Sequence, residues 1–125
     1  MKIAICVKQV PDTSDIQWTE NNTIQREGLE SILNPYDLYA IEAALRIKNL
    51  FSNVEIISLT MGPNQAEDII RKTLALGVNK GFVVSDKKFA GADTIATSRT
   101  LANAIKSKIG NVDLILCGQF AIDGD

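Results

Sequence analysis

Four short apolar runs constrain this chain most: Lys2–Val7 (KIAICV), Val54–Leu59 (VEIISL), Gly81–Val84 and Val112–Cys117 (VDLILC). Near-continuous apolar runs of this length are how strands buried on both faces read. Stretches with helical spacing lie between them, so the order is strand, long loop, helix, strand, helix, strand, helix, strand. Strands alternating with helices pair in parallel, and the expected fold is a three-layer, open, parallel α/β sheet. A doubly wound sheet reverses direction beside its first strand, which gives the spatial order three, two, one, four. Such sheets bind ligands in the crevice at that reversal, outside the carboxyl ends of strands one and four.

The segments between strands carry readable start and stop signals. Lys8 to Leu33 is polar and irregular. A connection this long is often functional, and Ile16–Thr19 and Thr23–Gln25 around Glu20-Asn21-Asn22 suggest a small hairpin within it. Asn34 suits an N-cap and Pro35 the first helical position. Leu38, Ile41, Leu45 and Lys48 fall on one face of that helix, with Ala44 beside them. Asp37 lies in its first turn, where it complements the helix dipole. Met61-Gly62-Pro63 turns the chain. Asn64 and Glu67 resemble a capping box, Ile70, Thr73 and Leu74 form the buried stripe, and Gly77 is a natural stop. Gly91-Ala92-Asp93-Thr94 opens a third helix that carries Ile95, Leu101, Ala102, Ile105 and Ile109. The sequence shows one domain over residues 1–125, with no internal repeat.

Composition removes several function classes. The net charge is −2, which argues against nucleic-acid binding. No apolar run approaches the roughly 20 residues needed to cross a bilayer, and Ile3–Val7 is too short for a signal peptide. The chain has no histidine, which excludes an imidazole base, a Ser-His-Asp triad and most catalytic zinc sites within it. The two cysteines, Cys6 and Cys117, lie in apolar runs without ligand-like spacing, so buried thiols in a reducing, cytoplasmic compartment are expected.

The inferred crevice should be lined by Cys6, Val7, Lys8 and Gln9, by Gly118 to Asp125, by the first turn at Asn34, and by the Met61 turn. In Gly118-Gln119-Phe120-Ala121-Ile122-Asp123-Gly124-Asp125, glycine allows close backbone approach to a ligand, and a helix start beyond it would offer amides to phosphate. Asp-Gly turns are also common on surfaces, and Phe120, Ala121 and Ile122 suit either a ring cover or a buried staple. Asn34-Pro35-Tyr36-Asp37 reads as a helix start whose amides and polar side chains could also recognise an adenine or ribose edge. Asp93 and Thr94 read as a helix cap away from the crevice. Lys8 either faces an anion or is solvated. Neither the G-x-G-x-x-G fingerprint nor the G-x-x-x-x-G-K-[ST] loop occurs, so any nucleotide cradle is of another kind.

These pieces together resemble the β subunit of electron transfer flavoprotein. The resemblance rests on Val7-Lys8-Gln9-Val10-Pro11-Asp12-Thr13, on Asn34-Pro35-Tyr36-Asp37 with Ala40 to Arg46, and on Gly91-Ala92-Asp93-Thr94 with Ala96-Thr97-Ser98. It also rests on Asp113 to Gly118 with Ala121-Ile122-Asp123-Gly124-Asp125. Phe120 is a local departure. The resemblance implies a Rossmann-like, adenine-nucleotide-hydrolase-like fold and a non-enzymatic electron carrier. Its β subunit binds AMP, or a second FAD in electron-bifurcating members. It pairs as a heterodimer with an α subunit that holds the main FAD and serves acyl-CoA dehydrogenase-type redox partners. The implied cofactor contacts are Cys6, Val7, Lys8, Asn34, Pro35, Tyr36, Asp37, Met61 and Gly118 to Asp125, with no metal and no catalytic residue. The resemblance also implies a longer protein, so this sequence is expected to be its N-terminal part, weak in nucleotide binding and prone to self-association when alone. A stand-alone adenine-nucleotide sensor of the universal-stress-protein type is the alternative. It lacks support from a glycine-rich phosphate loop.

Overall fold

The computed structural model describes residues 1–12, 30–85, 91 and 93–124. The expected hairpin within 16–25, together with Thr13, Ala92 and Asp125, lies outside them. Strands β1 (Lys2–Cys6), β4 (Glu55–Met61), β5 (Lys80–Val84) and β6 (Leu114–Cys117) form one sheet in the order β5-β4-β1-β6. All its pairings are parallel. In terms of the four apolar runs this is the expected order three, two, one, four. Helices α1 (Pro35–Leu50) and α2 (Glu67–Leu76) follow β1 and β4, and α3 (Thr94–Ala104) follows β5.

The alternation along β1 sorts its side chains into two cores. Ile3, Ile5 and Val7 join Ile41 and Ala44 of α1 and Ile69 and Ile70 of α2. Ala4, with Ile57 and Leu59 of β4, meets Ile105 and Ile109 on the opposite face. The first two crossovers therefore share one face of the sheet. The third, from β5 back across to β6, covers the other. That makes three layers.

The structure corrects several local expectations. The long connection begins and ends in a two-stranded antiparallel ribbon, β2 (Gln9–Pro11) with β3 (Ser31–Leu33), which period-two patterning is too short to reveal. In α1 the buried residues are Asp37, Ala40, Ile41 and Ala44, whereas Leu38 is 44% exposed. The helix is rotated so that small residues let it approach the sheet and Asp37 faces inward. Asn64 caps nothing: Asn64–Ala66 is a 3-10 turn and α2 starts at Glu67 without a side-chain cap. Leu74 is exposed, and Ile69 takes its place in the stripe beside Ile70 and Thr73. Gly77 ends α2 at φ 120°, as its position suggested. Asp93 does cap α3, accepting a hydrogen bond from the Ala96 amide at 2.8 Å. No residue of α3 is buried; Ile105 and Ile109 anchor this crossover from a π turn that continues it.

Candidate functional site

A crevice of about 410 Å³ opens at the carboxyl edge, where β1 and β6 diverge. It falls within the usual size range of small-molecule sites, roughly 300–1,000 Å³. Cys6 at the end of β1 with Val7 and Lys8 beyond it, and Cys117 at the end of β6 with Gly118 beyond it, line its base. Asn34 and Asp37 of the α1 start, Met61 at the end of β4, and Phe120 and Ala121 complete one side.

Asp37 ties three segments of this site together. Its carboxylate accepts the Lys8 amide at 2.8 Å, and Gly118 packs directly against it. Burial pushes this carboxyl above the usual range, and the donated hydrogen bonds pull back against that shift. Gly118 is required by the approach. A Cβ there would sit 2.3 Å from Asp37 Oδ1 and 2.9 Å from the Tyr36 carbonyl carbon.

Asn34 does the work of a strap rather than a side-chain cap. It occupies the N-cap position of α1, but its side chain makes no capping bond. Instead its Nδ2 donates to the Phe120 carbonyl at 2.9 Å, and its Oδ1 accepts from the Ile122 amide at 3.1 Å. With 1% exposure, Asn34 presents the loop with one donor and one acceptor in a dry place. Lys8 holds the far end of the loop. Its Nζ pairs with Asp123 at 2.9 Å and donates to the Gly124 carbonyl at 3.3 Å; the Asp123 side chain is 2% exposed. The Tyr36 and Phe120 rings meet with centroids 4.1 Å apart.

The expected site residues thus fall into two sets. Cys6, Val7, Lys8, Asn34, Asp37, Met61, Gly118, Phe120 and Ala121 line the crevice. Pro35, Tyr36, Ile122, Asp123 and Gly124 lie behind it as the helix start and the strapped loop, and Gln119 is exposed. Asp125 lies outside the described residues.

Two expectations are corrected here. The α3 start is part of the crevice, through Gly91, Thr94, Thr97, Ser98 and Leu101. Every helix that follows a parallel strand begins at the carboxyl edge, and α3 must cross β4 and β1 to reach β6. Topology alone could therefore have placed Thr94 here. Cys117 is exposed rather than buried, whereas Cys6 is half-buried and packs against the core around Ala4, Ile57 and Leu59; both line the crevice.

The fold and this crevice define a Rossmann-like α/β domain with a pocket at the point where strand order reverses. The chain belongs to the electron transfer flavoprotein domain family, which matches residues 21–125. It is 51% identical, over its full length, to the caffeyl-CoA reductase-Etf complex subunit CarD of Acetobacterium woodii, and covers 48% of that protein. It is 46% identical to the electron transfer flavoprotein subunit beta of Megasphaera elsdenii, with 100% of this chain and 48% of that protein covered. Against protein FixA of Azorhizobium caulinodans it is 45% identical, with 100% and 46% covered. The chain therefore spans about half the length of the curated relatives it matches.

Proposed function

We propose that residues 1–125 are the nucleotide-binding domain of an electron transfer flavoprotein β subunit. The domain holds an adenine nucleotide in the crevice outside the carboxyl ends of β1 and β6, and the whole protein pairs with an α subunit that carries FAD. Electrons pass through flavin, while the β subunit fixes cofactor position and surroundings. The observation that carries this reading is the strapped loop: Asn34 and Lys8 bind residues 120–124 to the α1 start and the β1 end, which Asp37 joins to each other. A loop fixed before ligand arrives has less ordering cost to meet on binding.

The lining fits such a group. Gly118 keeps a side chain out of the approach, Phe120 offers a partly exposed ring face, and Thr94 and Thr97 bring hydroxyls at a helix start. AMP and FAD share an adenosine monophosphate half, so one site reading serves both. The presence of acryloyl-CoA reductase electron transfer subunit gamma of Anaerotignum propionicum among the relatives, at 43% identity, supports acyl-CoA dehydrogenase-type redox partners. No helix among the described residues is long and apolar enough to cross a membrane. That fits a cytoplasmic carrier.

Calorimetry on the full-length protein, with AMP and FAD as separate titrants, tests the reading. Saturable binding of at least one, weakened about tenfold or more by Asn34→Ala, is expected; no heat from either ligand would overturn it. Flavin content of the complex with its partner then decides between the ligands. One flavin per pair indicates AMP in the β site, and two indicate a second FAD and a bifurcating complex.

A further inference from the structure

The two cysteines of this chain are partners across the reversal of the sheet. Cys6 on β1 and Cys117 on β6 are in direct register in a parallel pair. Neighbouring strands lie about 4.8 Å apart, within the Cα separations of about 4.4–6.8 Å that a disulfide can span. Both side chains project to the same face and both line the crevice. The register places the two thiols side by side. We propose that Cys6 and Cys117 form a dithiol modification site that low-molecular-weight disulfides oxidise to an intramolecular Cys6–Cys117 disulfide.

The division of labour follows from where each sulfur sits. Cys117 is exposed on the outer strand of the sheet, whereas Cys6 is half-buried between β4 and β6. The neighbouring Cys6 thiol lowers the Cys117 pKa to about 7, and the neighbouring Cys117 together with burial holds Cys6 above the usual thiol range. The Cys117 thiolate attacks one sulfur of the small disulfide, forms a mixed disulfide and expels one small thiolate. Cys6 then gives its proton to that leaving thiolate or to water. Its sulfur attacks Cys117 Sγ, forms the Cys6–Cys117 bond and releases the second small thiolate, which takes a proton from water. Two electrons leave the protein sulfurs, and the reagent is reduced to two thiols.

The test uses the reduced full-length protein and oxidised glutathione at neutral pH. Remaining thiols are blocked with iodoacetamide, and tryptic peptides are read by mass spectrometry without reduction. The expected product is the Ile3–Lys8 peptide joined to the peptide that begins at Ile109, lighter by two hydrogens than the two free peptides and separated by reductant. The linkage should form at least about tenfold faster in the folded protein than in urea, because the fold removes the closure of a long loop. In Cys6→Ser, glutathione should remain on Cys117 as a stable mixed disulfide. Recovery of both cysteines alkylated, or of both carrying glutathione without the linked pair, would overturn the proposal. So would equal rates in folded and unfolded protein.

Discussion

At the scale of single residues, Asp37 and Gly118 decide whether the crevice can exist. A methyl group at Gly118 has no room beside Asp37 Oδ1 and the Tyr36 backbone. Gly118→Ala should therefore lower stability by about 1–3 kcal/mol, read as a shift of the urea midpoint. Asp37 makes a pH prediction with a definite sign. Its folded-state pKa is raised, chiefly by burial. The native state then binds the proton more tightly than the unfolded state, and this group's contribution to stability falls as pH rises from the ordinary carboxylate range through the raised pKa. Asp37→Asn removes that titration. Urea midpoints at pH 4 and pH 7 should show the wild type gaining on the variant toward the acid side; a pH-independent difference would show that burial does not shift the group. Neither role could be read from the sequence. Asp37 looked like a dipole-complementing residue of a first helical turn, because local spacing does not record the angle at which a helix meets its sheet.

At the scale of elements, two polar contacts join segments distant in sequence. Asn34 links the α1 start to the loop after β6 through a donor and an acceptor. Asn34→Ala strips the Ile122 amide of its partner and should cost about 1–3 kcal/mol. Asn34→Asp should do no better, since a carboxylate oxygen would face the Phe120 carbonyl. Loss of hydrogen-exchange protection at Ile122 is the local readout. Between β4 and α2, Ser58 and Thr73 share a buried hydrogen bond of 2.7 Å, and Thr73 also donates to the Ile70 carbonyl at 2.6 Å. With the Thr73 proton so engaged, Ser58 is the donor of the pair. Thr73→Val leaves that donor buried without an acceptor and should cost about 1–2 kcal/mol, while Ser58→Ala should cost less than about 1. The double variant should fall short of the sum, measured by a double-mutant cycle in urea. Element existence was legible because runs such as KIAICV and VEIISL admit few other readings. The β2–β3 ribbon was not, because three-residue strands carry no period.

At the scale of the molecule, the chain is a doubly wound sheet whose two helical layers meet at one reversal. A ligand that seats there binds the folded state alone, and a hundredfold excess over its Kd should add about 2.7 kcal/mol to stability. Thermal unfolding of the full-length protein with AMP or FAD should show that upward shift. The Asn34→Ala variant should need more ligand for the same gain. An unmoved midpoint at saturating concentrations would tell against the crevice as the ligand site.

The sequence by itself determined the strand order and the edge on which a crevice must form. Apolar runs and helix signals are local, and chain connectivity then leaves few ways to wind a parallel sheet. Family motifs in Val7–Thr13, Asn34–Asp37 and Gly118–Asp125 were legible for the same reason: they are contiguous. Only the tertiary structure decided which way those motifs face. It turned Asn34 from a cap into a strap and Asp37 from a first-turn charge complementing the dipole into a buried acceptor. It also brought Thr94 to the crevice and set Cys6 beside Cys117. Each of these depends on helix rotation or on register between strands, and both are set by packing across the whole sheet rather than by neighbours along the chain.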